Sequence, residues 1–183
     1  HEVNKKIWKE FELGEITQEE LKVERFNWFK DMISWDFKPQ LFADYYMGFL
    51  SDASFIYDDA FAIVEHLSEN HRLAIITNGL TRVQTKRIKG SIIAKYFEEI
   101  VISEEVQISK PNPEIFLKAW KSVDVPLKAA LILEDSENGL LASKNANMSS
   151  ICIPDLKFPE PEYESIPAYI VETGLDVIDI LGI

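Results

Sequence analysis

Leu73-Ala74-Ile75-Ile76-Thr77-Asn78-Gly79 is an apolar run closed by a hydroxyl, an amide and a glycine. Its apolar part has no polar alternation, the pattern of a strand covered on both faces, as in a parallel sheet. Working outward, Ala60, Phe61, Ile63, Val64 and Leu67 precede it at helical spacing. Downstream the short apolar run recurs at Ile100-Val101-Ile102, Ala130-Leu131-Ile132-Leu133 and Ser150-Ile151-Cys152-Ile153. Helical segments are expected between these runs, over 80–89, 113–123 and 137–147. Tyr169-Ile170-Val171 forms a last extended piece before a short helix through Leu181. Strands alternating with helices of this length make right-handed βαβ units. The fold class is therefore α/β with a mostly parallel sheet.

Upstream of about Asp58 the pattern is different. Fourteen of the twenty-one aromatic residues fall between Trp8 and Phe61, and this third has no strand pattern. Thr17-Gln18-Glu19-Glu20 has the form of a capping box, with Thr17 as N-cap and Glu20 reaching back. Leu21, Phe26, Trp28, Phe29, Met32 and Ile33 follow as a broad apolar stripe. Lys38-Pro39 should break that helix, and Leu41–Leu50 should begin another. The sequence thus predicts a small helical module over 1–55, ahead of an α/β core over 56–183. Trp8, Trp28, Phe29 and Trp35 are expected mostly in the module's own core.

Composition excludes some functions. A net charge of −12 argues against a nucleic-acid surface, which needs clustered Lys and Arg. An anionic small molecule fits only where a few cations, or a metal, are focused at one site. The lone Cys152 lies in an apolar run, reads as a buried strand residue and excludes an intramolecular disulfide. No apolar stretch approaches the ~18 residues a membrane span needs, and no signal-peptide pattern is present. A reducing cytoplasm is the expected location. The chain opens on His1 rather than Met, which suggests a processed, tagged or incomplete start.

In open α/β sheets, ligands bind beyond the carboxyl ends of the strands. There this sequence places Thr77-Asn78-Gly79, then Ser109-Lys110-Pro111-Asn112-Pro113, then Glu134-Asp135-Ser136. Together these offer a hydroxyl with free backbone amides, a cation and paired carboxylates, a set that suits phosphoryl transfer. Thr77 can donate to a phosphoryl oxygen, with the Asn78 and Gly79 amides opening toward it at a helix N-terminus. Lys110 can balance negative charge, and Asp135 with Glu134 offers hard oxygen ligands for Mg²⁺. Singly, each has a bland reading. Thr77-Asn78-Gly79 is a common turn sequence, a loop lysine is usually solvated, and Asp135 or Ser136 can merely cap the next helix. Asn112-Pro113 should serve as N-cap and first-turn proline of the helix it precedes. Glu134 is harder to dismiss, because a carboxylate ending a buried strand is costly unless paired or metal-bound.

In this order, Thr77, Lys110-Pro111 and Glu134-Asp135 resemble motifs II, III and IV of the haloacid dehalogenase superfamily. Ile75–Gly79, Val101–Val106 and Ser109–Phe116 look most like the 5′-nucleotidase branch. The opening, Val3-Asn4-Lys5 with Trp8 and then Gly14-Glu15-Ile16-Thr17, is similar to that branch's helical cap. Glu134-Asp135-Ser136-Glu137-Asn138-Gly139 is closer to the sugar-phosphatase and β-phosphoglucomutase-like branch. The resemblance implies a Rossmann-like core with a small helical cap, and Mg²⁺-dependent hydrolysis of a phosphomonoester through an aspartyl-phosphate. It implies that Thr77 and Lys110 act on the phosphoryl group, that Asp135 holds Mg²⁺, and that Glu134 is a second ligand or a ligand orienter. Small phosphorylated metabolites such as nucleoside monophosphates are the implied substrates.

The family's motif I, an Asp-x-Asp strand supplying nucleophile and general acid, is absent from these 183 residues. In the family it precedes the cap and runs between the strands that correspond to Leu73 and Ala130. It is therefore expected just upstream of His1, and the chain alone is expected to be inactive. The other readings are a sugar-phosphate phosphatase or mutase, and a non-catalytic binding protein that keeps the fold. Dehalogenation leaves Glu134-Asp135 without a purpose.

Overall fold

The computed structural model describes residues 2–12, 14–123, 125–154 and 167–182. His1, on which the expectation about the start rests, lies outside them. The chain divides into two units, His1–Ala53 and Ser54–Ile183.

The first unit contains three helices, α1 (Glu2–Glu12), α2 (Gln18–Ile33) and α3 (Pro39–Asp52). The capping box forms: Glu20 N–H donates to Thr17 Oγ1 at 3.2 Å, and Thr17 N–H donates to Glu20 Oε2 at 2.7 Å. Ser34, in the left-handed region at φ 51°, closes α2, and Pro39 opens α3. Ile7, Leu21, Phe26, Ala43 and Met47 form the buried apolar set. Much of the expected aromatic core stands outside it. Trp28 is 48% exposed, Met32 68% and Trp35 63%, and Phe29 and Ile33 are also exposed. The reason is that apolar residues surround α2 instead of lining one stripe, while α1 and α3 bury the side holding Leu21 and Phe26 and only partly cover Trp28, through Lys6, and Phe29, through Phe42. That side also buries Arg25. Its Nη1 donates to Asn4 Oδ1 at 3.0 Å, and its guanidinium lies about 5 Å from the Phe26 and Tyr46 rings.

The second unit alternates helices and strands: α4 (Asp58–Ser68), β1 (Leu73–Thr77), α5 (Thr81–Lys89), β2 (Phe97–Ile102), α6 (Ser103–Val106) and α7 (Glu114–Lys121). After these come β3 (Leu131–Glu134), α8 (Glu137–Asn145), β4 (Ser149–Cys152), β5 (Tyr169–Ile170) and α9 (Asp176–Leu181). All described pairings are parallel, as expected of βαβ units. β1 pairs with β2, bringing Thr77 opposite Ile102, while β3, β4 and β5 make a second ladder that sets Glu134 opposite Cys152. This is the α/β, Rossmann-like arrangement. β2 begins three residues before the apolar run that announced it. Glu98 and Glu99 interrupt the apolar pattern there, and Glu98 pairs with Arg72 at 2.6 Å in solvent.

Helices join the two ladders. Val101 on β2, Ile115, Phe116 and Ala119 on α7, and Ala142 on α8 share one buried cluster with Ala146 and Met148, which follow α8. Ile151, Val171 and Val177 form another beneath β4 and α9. Cys152 is fully buried on β4. The strands accordingly end on one edge, where Thr77, the loop after β2 and Glu134 all emerge.

Candidate active site

Thr77 is the last residue of β1 rather than the first of the following turn. Its Oγ1 accepts a hydrogen bond from Gln84 Nε2 at 2.9 Å, and Gln84 lies on α5. Between them, Gly79 leaves room. A Cβ placed there would come within 2.6 Å of Gln84 Cγ and 2.7 Å of its Nε2. The Gly79 amide, expected to face a phosphoryl group, instead donates to Ser103 Oγ at 3.1 Å. That bond fastens the turn after β1 to the start of α6. Glu104 makes a neighbouring tie by accepting from the Thr81 amide.

Asn78 uses its side chain as a clamp on the Lys110 backbone. Its Nδ2 donates to the Lys110 carbonyl at 2.9 Å, and its Oδ1 accepts from the Lys110 amide at 2.8 Å. This two-point bond links the strand-end turn of β1 to the loop after β2, across the cis Lys110–Pro111 peptide. Asn112 Oδ1 accepts from Glu114 N–H at 3.0 Å, and Pro113 already has helical dihedrals, so these two residues begin α7 as their types suggest.

Lys110 extends its side chain to Glu134. Nζ to Oε2 is 2.8 Å, and the two side chains are only 10% and 8% exposed. Glu134 has no oxygen to spare. Its Oε1 accepts from Ser136 Oγ at 2.9 Å and from the Asp135 and Ser136 amides at 3.3 Å. The carboxylate that looked costly at the end of β3 is thus paired and hydrogen-bonded, as burial demands. Burial pushes its pKa up, but the Lys110 charge and this set of donors outweigh burial and hold it below the ordinary carboxylate range. Asp135 goes the other way. Partial desolvation first, and then the adjacent Glu134 carboxylate, raise it to about 6.

Ser136 caps α8, accepting from the Gly139 amide at 3.2 Å. Gly139 is buried against Glu134, and a Cβ there would lie 2.0 Å from the Glu134 carboxyl carbon. Glycine is therefore required for the Glu134–Lys110 pair to sit where it does.

Lys110, Glu134 and Asp135 form one cluster, and Asn78 ties it to the Thr77 turn. Of the two carboxylates expected at a metal, Glu134 has both oxygens hydrogen-bonded to protein donors, one of them Lys110. Asp135 is the one with ligand capacity in hand. Among the described residues no group of three His, Cys, Asp or Glu side chains converges on a metal position. The donor chemistry still suits Mg²⁺, which commonly takes one or two carboxylates and completes its shell with water and phosphate oxygens. A carboxylate that burial and an anionic neighbour make bind its proton more tightly is one whose proton a cation would displace. Sequence reasoning missed Gln84, Ser103 and Gly139. Only Gly139 carried a signal, as a glycine inside the first turn of a helix.

The chain matches the family described as haloacid dehalogenase-like hydrolase over residues 2–153. It is 28% identical over 187 residues to the HAD-hydrolase YfnB of Bacillus subtilis, covering 99% of this chain and 77% of that protein. A crystal structure of YfnB bound to magnesium superposes with a TM-score of 0.87 at 27% identity, covering 99% of this chain and 80% of that one. The pyrimidine 5′-nucleotidase YjjG of Escherichia coli is 25% identical over 162 residues, 87% of this chain and 71% of its own length. The glyceraldehyde 3-phosphate phosphatase of Methanothermobacter thermautotrophicus is 29% identical over 116 residues, 63% of this chain and 49% of its own.

Proposed function

The chain belongs to the haloacid dehalogenase-like hydrolase family, and on that premise we propose that it forms most of a Mg²⁺-dependent phosphomonoesterase acting on nucleoside monophosphates. The observation that carries this reading is Lys110, buried against Glu134 with Asp135 beside it, at the strand edge where Thr77 ends β1. A relative named as a pyrimidine 5′-nucleotidase supports the substrate class.

Each residue has a task in this reading. Thr77 donates its hydroxyl proton to a phosphoryl oxygen. Lys110 spends one of three protons on Glu134 and keeps the others for the phosphoryl group and the attacking carboxylate. Glu134 holds that ammonium in place. Asp135 would hold Mg²⁺, which when bound neutralises charge on the phosphoryl oxygens. The nucleophile is assigned to an aspartate of an Asp-x-Asp strand supplied from outside these 183 residues. Among the described residues β1 bonds only to β2, and β3 only to β4, so each has an edge able to take a parallel strand. Leu133 on β3 is 36% exposed, as expected of a strand with one side uncovered. The helical first unit is proposed as the cap that excludes water from the leaving group.

The test is a hydrolysis screen of the native full-length protein over nucleoside monophosphates and sugar phosphates, with Mg²⁺ and with excess chelator. Mg²⁺-dependent release of phosphate from nucleotides is expected. Release from sugar phosphates alone would move the protein to the second branch, which the Glu134–Gly139 text and the glyceraldehyde 3-phosphate phosphatase favour. No release from any of them would overturn the phosphatase reading.

A further inference from the structure

We propose that Gln84 is a positioning residue that sets the direction in which Thr77 donates; this rests on the phosphatase reading above. A threonine hydroxyl carries one proton and two acceptor positions, and its proton rotates to whatever acceptor is near. Left alone at a strand end, Thr77 could turn that proton toward backbone carbonyls. Gln84 Nε2, 2.9 Å away, fills an acceptor position of Oγ1 with a donor. An N–H aimed at the oxygen repels the hydroxyl proton from that side. The proton is thereby left for another acceptor, and none of the described residues takes it.

The placement is supported from three sides. Gln84 sits in the second turn of α5, whose first turn is fixed by Glu104 accepting from the Thr81 amide. Val83 beside it is 5% exposed, so the helix cannot rotate without exposing that side chain. Gly79 is the third element. Its missing side chain makes the space through which the Gln84 amide passes, and its own amide is held by Ser103. Glycine at 79 is therefore read as room for Gln84, not as an amide offered to phosphate. Preorganised donors matter most where charge develops in the transition state, so the effect should fall on kcat more than on KM.

The test compares Gln84→Met and Gln84→Glu with the unmodified full-length protein, using p-nitrophenyl phosphate with Mg²⁺ between pH 5 and pH 8. Gln84→Met keeps the volume and removes the donor. Its kcat should fall about tenfold with KM nearly constant, and the ratio to the unmodified protein should not vary with pH. Gln84→Glu should fall at least as far at pH 8, because an ionised carboxylate would accept the Thr77 proton and turn it away from the substrate. Acidification toward the ordinary glutamate value of about 4.3 should restore part of its activity relative to the unmodified protein, since a protonated carboxyl can donate as the amide does. Full activity of Gln84→Glu at pH 8, or an equal and pH-independent loss in both variants, overturns the positioning role while leaving the phosphatase reading intact. Absence of hydrolysis by the unmodified protein overturns both.

Discussion

Asp135 carries two opposed demands. To take the proposed cation it must be ionised, yet it is partly buried and stands next to Glu134, which Lys110 keeps ionised. Its pKa of about 6 against an ordinary 3.8 records that conflict. In the metal-free protein the folded state holds the proton more tightly than the unfolded state. The contribution of Asp135 to stability is therefore full below about pH 4, declines as pH rises toward 6, and stays lost above it. Asp135→Asn should remove the decline. By urea denaturation in chelator, the variant should gain on the unmodified protein as pH rises through this window and keep that gain at pH 8. Added Mg²⁺ should stabilise only the unmodified protein. Parallel pH dependence of the two proteins would contradict the assignment of Asp135 as the strained carboxylate.

At the scale of elements, the first turn of α8 shows local preference overruled by the site. Alanine is favoured over glycine inside a helix by roughly 1 kcal/mol, so Gly139→Ala should stabilise if only the helix mattered. The Cβ would instead meet the Glu134 carboxyl at 2.0 Å and push it from Lys110. The expected result is a net loss of stability, read by denaturant midpoint, with a fall in phosphatase activity. A gain in both would refute the steric argument. The same contrast explains what the sequence made legible. Glu134 closing an apolar strand announced a need for a partner or a metal, but not that Lys110, after the preceding strand, would be that partner. Thr17 and Glu20 announced the start of α2 because capping is local. Gln84 was not legible, because its bond to Thr77 depends on how α5 folds back over the end of β1. The exposed faces of Trp28 and Trp35 were not legible either. Apolar residues ring α2, and only the positions of α1 and α3 decide which of them are covered.

Across the second unit, a polar network at the strand ends adds to the buried helices in tying together two ladders that share no backbone hydrogen bond among the described residues. Asn78 clamps the Lys110 backbone from the β1 side, and Lys110 reaches Glu134 on the β3 side. Glu134→Gln should cost about 3 kcal/mol in denaturant unfolding, because it leaves a buried ammonium without its counter-charge. Pairing it with Lys110→Met should recover most of that loss, since the apolar replacement removes the stranded charge; no recovery would show that the pair stabilises in its own right. The tie between the ladders has a further consequence. A fold joined at its active edge breathes there first, so amide exchange in β1 and β3 becomes a gauge of what the site contains. A ligand held by Thr77 and Lys110 on one side and, through a cation, by Asp135 after β3 on the other would act as a rivet between the two ladders. Its arrival would be written in slower exchange of strand amides that never touch it.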